Sequence, residues 1–191
     1  MHYSETGQTR LYKTVVLIAL PCEAPNLRHM MNVFYTGVGK VNAALTAAQV
    51  IERYQPDRVI NIGTAGGITA GPGLHECTQF VQRDITCHAL GCANGQTPFE
   101  DDIILSTGAT GLTCSTGDNF VMNPILDIPA DVVDMEAYAI AKACLRYKIE
   151  FRCFKYITDQ ADAQAHDSWK QSVAMGEKFF ITKLLELGVT V

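Results

Sequence analysis

Short apolar runs alternate with segments of helical periodicity along most of this chain. Short apolar runs rich in β-branched or aromatic side chains, which are typical of buried strands, lie at residues 14–20, 33–36 and 59–62. Over residues 40–54, by contrast, apolar side chains repeat every three or four positions, which predicts an amphipathic helix. The first part of the chain therefore predicts strands that alternate with helices.

The second part of the chain continues this alternation. An apolar pair at 132–133 precedes a helical pattern that begins after residue 136. The remaining predicted elements are strands at 78–86, 103–106, 111–115 and 151–158 and a final helix over about 168–187. Such alternation favours an α/β fold with a mixed, mainly parallel central sheet. The length of 191 residues fits a single domain, 1–191.

The composition argues against a nucleic-acid-binding, membrane or metal-binding protein. A net charge of −5 provides no basic surface for a phosphate backbone, so we expect no binding of nucleic acid. The apolar run at 15–20 is too short to cross a bilayer and lacks the features of a signal peptide, so we expect no membrane association. Seven cysteines without a C-x-x-C pair indicate a reducing cytoplasm, and we expect no metal site.

Two carboxylates lie where predicted strands end. Asp159 follows the strand at 151–158, and Glu136 lies where an apolar segment turns into a helix. Ligands of open parallel sheets bind at the carboxyl ends of strands, so this pair suggests a site for a polyhydroxylated or basic ligand. From the residues alone, a cap for the following turn is the favoured role of Asp159, and Glu136 fits equally well as an acidic residue favoured by the helix dipole.

Two glycine-rich segments also follow predicted strands. Residues 37–40 fail the phosphate-loop pattern because Val41 replaces the hydroxyl residue, and Asn42 stands where a dinucleotide fingerprint needs its third glycine. A tight turn is therefore favoured there. Residues 63–67 contain three glycines directly after an apolar strand, and such a segment is equally consistent with a turn and with a ligand cradle.

Six short blocks within residues 15–165 match one known family in order. They are ALPCE at 19–23, TGVGKVNAA at 36–44, NIGTAGG at 61–67, STGDNF at 115–120, DMEA at 134–137 and ITDQAD at 157–162. With these blocks the chain resembles the nucleoside phosphorylase and nucleosidase superfamily, most closely the bacterial methylthioadenosine/S-adenosylhomocysteine nucleosidases. The resemblance implies a three-layer α/β/α fold. We expect it to be shortened, because this chain lacks a longer stretch before Thr36 and a helix between 106 and 111.

The resemblance implies an enzyme that hydrolyses the N-glycosidic bond of an adenine nucleoside, such as 5′-methylthioadenosine or S-adenosylhomocysteine, without a cofactor. Asp159 would be the general acid that protonates the purine, and Glu23 the general base that activates water. Glu136 would bind the ribose hydroxyls. The other residues implied to bind substrate are Met135 beneath the sugar, Phe120 and Val121 at the purine, Thr158 beside the acid, and Thr64, Ala65 and Gly66 in the cradle.

Two alternative functions stay open, a purine nucleoside phosphorylase and a non-catalytic nucleoside-binding protein. The phosphorylases of the superfamily carry an arginine just before the glycine-rich segment, where this chain has Asn61. Without such an arginine, and with Glu23 nearby, water is a better nucleophile than a phosphate dianion. The resemblance also implies a homodimer, in which a loop near 83–90 reaches the partner's pocket.

Overall fold

The described part of the chain contains eight strands and four helices. The computed structural model describes residues 11–100, 102–122, 127–163 and 165–190. The strands are β1 Thr14–Ile18, β2 Val33–Tyr35, β3 Arg58–Gly67, β4 Gly73–Gln82, β5 Leu105–Ser106, β6 Leu112–Thr116, β7 Val132–Asp134 and β8 Glu150–Asp159. The helices are α1 Lys40–Tyr54, α2 Ala137–Tyr147, α3 Ala165–Ser172 and α4 Glu177–Glu186, and short 3-10 turns lie at Pro21–Glu23, Leu27–His29 and His88–Leu90.

The strands form one mixed sheet that closes on itself. Five pairings are parallel, namely β1–β2, β1–β3, β3–β8, β4–β6 and β6–β7. Three are antiparallel, namely β3–β7, β4–β8 and β4–β5. The predicted mixed, mainly parallel sheet is therefore confirmed. Because β3, β8, β4, β6 and β7 pair in turn and β7 returns to β3, these five strands form a ring, which the sequence pattern did not predict.

The end of β3 makes this closure possible. Its first half pairs with β1, and its last residues, Gly66 and Gly67, pair with β7. A Cβ atom on Gly66 would lie 2.9 Å from Asp159 Oδ1 and 3.0 Å from Val133 Cγ2, so only glycine allows the backbones to approach this closely. The glycine-rich segment at 63–67 is therefore the end of a strand and not a loop.

Successive strand residues point into two separate apolar layers, as the period of a strand requires. Val15 and Leu17 of β1 belong to one buried cluster, which includes the apolar faces of α1 and α2. Val16 and Ile18 belong to a second cluster on the other side of the sheet, which includes Phe180 of α4. Helices thus cover both faces of the strands, and the predicted three-layer α/β/α arrangement is confirmed.

The helix predicted at 40–54 has the bounds of α1, whereas two other predictions were wrong. The strand predicted at 78–86 begins earlier, because β4 pairs with β8 from Gly73 to Cys77. The predicted final helix is two helices, with a turn before Gly176, where a side chain would lie within 3.0 Å of Tyr156. Residues 107–111 contain no helix, and no helix in the described part of the chain is long and apolar enough to span a membrane.

We expect Gly67→Ala to destabilise the fold and Gly71→Ala to serve as its matched control. A Cβ at Gly67 would lie 2.5 Å from the carbonyl oxygen of Ala70, while one at Gly71 would meet nothing within 4 Å. The free energy of unfolding, measured in urea, should fall by about 1–3 kcal/mol for Gly67→Ala. It should stay within about 0.5 kcal/mol for Gly71→Ala. Equal stabilities would contradict the tight packing at the end of β3.

Candidate active site

A cavity of about 210 Å³ opens where β7 meets the end of β3. Its walls come from the turn after β1, the end of β3, the loop after β6, the β7–α2 junction and the end of β8. All ten residues that the sequence indicated line this one cavity, namely Glu23, Thr64, Ala65, Gly66, Phe120, Val121, Met135, Glu136, Thr158 and Asp159. The structure therefore brings the predicted residues together, while the role of each stays a prediction.

Glu23 is held rigidly at one side of the cavity. It lies in the 3-10 turn after β1 and is only 3% exposed. Its Oε1 accepts the Thr64 N–H at 2.7 Å and the Thr64 hydroxyl at 2.8 Å, and its Oε2 accepts the Leu20 N–H at 2.9 Å. Thr64 therefore directs both of its donors to Glu23, which fixes the plane of the carboxyl group.

Glu136 lies between β7 and α2 and is 7% exposed. Burial first, and then the charge of Asp134, raises its pKa to about 7, although Lys155 and the N–H of Gly39 oppose this shift. The Gly39 N–H donates to Glu136 Oε1 at 2.9 Å. The turn at 37–39, which the sequence favoured as a plain turn, thus also supplies a backbone donor to the site.

A buried ion pair beneath the cavity was missed by the sequence analysis. The Nζ of Lys155, on β8, lies 2.8 Å from Asp134 Oδ2, and both side chains are almost fully buried. Burial opposes the charged form of each group, but the partner's charge outweighs it, so the pKa of Lys155 lies well above and that of Asp134 below its usual range. The one available signal was a lysine within an otherwise mostly apolar strand.

Asp159 occupies the opposite wall, at the end of β8, and is 9% exposed. Its Oδ2 accepts the Thr158 hydroxyl at 2.9 Å, and its Oδ1 accepts the Ala161 N–H at 2.9 Å. Ala161 has a φ of 51°, so the chain turns back sharply here. Asp159 therefore caps the following turn, which was one of its two predicted roles, and it also lines the cavity.

The Arg83 side chain fixes the loop that carries Phe120. The Arg83 guanidinium donates to the carbonyls of Ser115, Asp134, Gly117 and Asn119. Phe120 itself is 43% exposed at the cavity rim. Arg83 was predicted to begin a loop that reaches a partner, but the structure places it in the cavity wall.

Two further residues, Asn61 and Trp169, differ in whether they reach the cavity. Asn61, at the position of the phosphorylase arginine, is 1% exposed and donates from Nδ2 to the Leu17 carbonyl at 3.0 Å, away from the cavity lining. Trp169 of α3 was not among the predicted site residues. It lines the cavity, and its Nε1–H donates to Thr64 Oγ1 at 3.0 Å.

No group of three or more His, Cys, Asp or Glu side chains in the described ranges is arranged to hold a metal ion. The charged groups of the site are instead held by backbone N–H groups, hydroxyl groups and one ammonium group. Such an arrangement suits proton transfer and the binding of a ligand rich in hydroxyl groups.

Residues 24–91 and 107–186 match the family model of the phosphorylase superfamily. The chain belongs to this superfamily, so the resemblance seen in its six sequence blocks is confirmed. The 5′-methylthioadenosine/S-adenosylhomocysteine nucleosidase of Anoxybacillus flavithermus is 30% identical, over 71% of this chain and 70% of its own. The protein of the same name from Bacillus thuringiensis is 29% identical, over 83% of this chain and 81% of its own.

Solved structures show the same fold. The futalosine hydrolase of Helicobacter pylori superposes with a TM-score of 0.82 at 21% identity, over 92% of this chain and 98% of its own. The 5′-methylthioadenosine/S-adenosylhomocysteine nucleosidase of Neisseria meningitidis, in complex with methylthio-immucillin-A, gives a TM-score of 0.72 at 26% identity, over 86% and 94% of the two chains. The predicted nucleoside phosphorylase-like fold is confirmed.

We expect Glu136→Gln to stabilise the protein in a pH-dependent way. Because folding raises the pKa of Glu136 from 4.5 to about 7, its contribution to stability is fully present below pH 4.5 and is lost as the pH rises through 7. Glutamine keeps an acceptor for the Gly39 N–H but carries no charge. Urea unfolding at about pH 8 should show a gain of roughly 1–3 kcal/mol over the wild type, which shrinks towards zero near pH 5. A gain that is equal at both pH values would contradict this assignment.

Proposed function

We propose that this protein is a nucleosidase that hydrolyses the N-glycosidic bond of an adenine nucleoside, such as 5′-methylthioadenosine or S-adenosylhomocysteine, and releases adenine. One observation carries the proposal. The carboxyl groups of Glu23, Glu136 and Asp159, delivered from three different strand ends, line one cavity whose basic groups are already paired. Family membership and the names of the nucleosidase relatives support the same substrate class.

Asp159 is the general acid of the proposed reaction. Cleavage of the bond leaves an electron pair on the purine, which departs easily only if it takes up a proton. The Thr158 hydroxyl and the Ala161 N–H hold the two carboxyl oxygens in place at the cavity wall. A carboxyl oxygen also accepts the exocyclic amine of adenine, which a 6-oxopurine lacks, so this residue favours adenine nucleosides.

Glu23 is the general base. As water attacks the anomeric carbon of the sugar, its hydroxyl oxygen forms the new bond and its proton passes to Glu23. The three donors from Leu20 and Thr64 leave the carboxyl group with a single orientation, so no reorganisation is needed during the reaction. The products are free adenine and the free sugar, and the two protons exchange with solvent.

Glu136 binds the ribose hydroxyls, with Met135 beneath the sugar. Burial and the charge of Asp134 raise its pKa to about 7, so its negative charge is poorly stabilised. The sugar becomes positively charged as the glycosidic bond breaks, and this charge favours the ionised form of Glu136. The hydrogen bonds to the ribose therefore strengthen in the transition state, which is the condition for catalysis.

The charges around the cavity favour water over phosphate as the nucleophile. A phosphate dianion needs unpaired arginine or lysine groups. Among the described residues that line the cavity, Arg83 is the only basic one, and its terminal nitrogens donate to backbone carbonyls. Lys155 lies beneath the cavity and is paired with Asp134. Glu23 would further repel an anion.

We also propose a cytoplasmic homodimer. All seven cysteines are free thiols, which supports a reducing compartment. Leu90, at the end of the segment 83–90 that is expected to reach a partner, is 62% exposed, and Phe99, beyond that segment, is 98% exposed. Such exposed apolar side chains support an interface. The molecular mass in solution, compared with 20.9 kDa for one chain, measures the assembly.

We expect the protein to release adenine from adenosine, 5′-methylthioadenosine or S-adenosylhomocysteine without phosphate, and to leave inosine largely uncleaved. The physical reason is the acidic cavity, which provides an acceptor for an exocyclic amine and, among the residues that the structure describes, no free cation for phosphate. Product analysis by chromatography, with and without phosphate, measures both properties. Strict dependence on phosphate would show a phosphorylase, and tight binding without turnover would show a binding protein.

We expect Asp159→Asn to lower kcat by a factor on the order of 10²–10⁴, because an amide supplies no acidic proton. The free energy of unfolding should change little. Asparagine retains an oxygen that can accept the Ala161 N–H, so the turn is preserved. The matched control is Asp162→Asn, which changes the next carboxyl group of the same segment, outside the cavity lining. The control should turn over at the wild-type rate. Near-normal turnover by Asp159→Asn would restrict Asp159 to its capping role.

A further inference from the structure

Trp169 connects α3 to the proposed general base through one intervening side chain. Its Nε1–H donates to Thr64 Oγ1 at 3.0 Å. The Thr64 hydroxyl in turn donates to Glu23 Oε1 at 2.8 Å. These three residues lie far apart in the sequence, on α3, on β3 and in the turn after β1. They form a continuous chain of hydrogen bonds along one wall of the cavity.

The chemistry of the three groups determines which group donates and which accepts in each of these hydrogen bonds. An indole N–H only donates, so Thr64 Oγ1 has to accept from Trp169. The hydroxyl has one proton, and an ionised carboxyl group only accepts, so that proton points to Glu23. Without Trp169, the threonine hydroxyl would be free to rotate towards a water molecule in the cavity. Trp169 thus determines the orientation of the hydroxyl that holds Glu23.

A second contact ties α3 to the other side of the reaction centre. The Ser172 hydroxyl lies 3.0 Å from the carbonyl oxygen of Thr158, the residue before Asp159. The same short helix therefore contacts the strand that carries the proposed acid and, through Trp169, the residue that holds the proposed base. The exposed side chains of α3, such as Lys170, take no part in these contacts with β3 and β8.

We propose that Trp169 is a positioning residue for Glu23, which acts through the Thr64 hydroxyl to keep the base oriented towards the attacking water. This inference rests on the proposed hydrolysis. It concerns the N–H group of the indole and not its apolar face. Removal of the N–H should therefore slow the chemical step and leave the binding of the nucleoside nearly unchanged.

A double-mutant cycle of Trp169→Phe and Thr64→Val tests the proposal, since phenylalanine keeps an aromatic ring and valine keeps the shape of threonine without its hydroxyl. Each single variant should lower kcat roughly three- to ten-fold, as expected for the loss of one hydrogen bond, with KM changed less than about two-fold. In the Thr64→Val background, Trp169→Phe should cause no further loss. Thr64→Ser should restore most of the turnover, and the exposed control Lys170→Gln should match the wild type.

A second readout needs no turnover. Trp169 is the only tryptophan of the chain, so emission excited at wavelengths where tyrosine does not absorb reports on this residue alone. Thr64→Val should change the emission because the indole loses its acceptor, while Thr64→Ser should leave it unchanged. This measurement also serves if Trp169→Phe fails to fold.

The possible results separate the two proposals. If the wild-type protein cleaves no nucleoside, the proposed function fails, and the fluorescence of the Thr64 variants then tests the Trp169–Thr64 contact alone. If the wild type is active but the losses of the two single variants multiply in the double variant, Trp169 acts independently of Thr64 and the inference is overturned. Emission that is unchanged in Thr64→Val would overturn it as well.

Discussion

The buried ion pair between Lys155 and Asp134 is the interaction on which the rest of the site depends. Asp134 also accepts the hydroxyl of Thr116 and the N–H of Ala137, so one carboxyl group connects β6, β7, β8 and the start of α2. Removal of either charge would leave the other buried without a partner, which typically costs about 3–5 kcal/mol. Once formed, the pair therefore keeps β7 and β8 together at the cavity.

The same pair sets the electrostatics of the cavity above it. Lys155 lies close to several carboxyl groups, and its charge is largely neutralised by Asp134. The pKa of Glu136 is raised because the effects of burial and of the charge of Asp134 exceed the opposing effect of the Lys155 charge. A site arranged in this way disfavours the negative charge of Glu136. It is suited to a ligand that gains positive charge.

The local sequence pattern predicted most elements well and failed where contacts between distant residues decide. The helix at 40–54 was predicted correctly because its apolar stripe and its ends are local features. The start of β4 was missed because its polar residues, such as His75 and Glu76, are kept in the strand by pairing with β8. The break before α4 was missed because it reflects crowding of Gly176 against Tyr156, a residue of another element.

By itself the sequence determined the family, most of the strands and helices, and ten residues that line one cavity, because ordered motifs mark chain segments that meet at that place. The tertiary structure alone decided the closure of the strand ring, the pairing of Lys155 and the contact of Trp169 with Thr64. It also showed that the Arg83 guanidinium donates hydrogen bonds to backbone carbonyls. The physical reason is that hydrogen bonds and buried charges depend on partners far away along the chain, about which local periodicity carries no information.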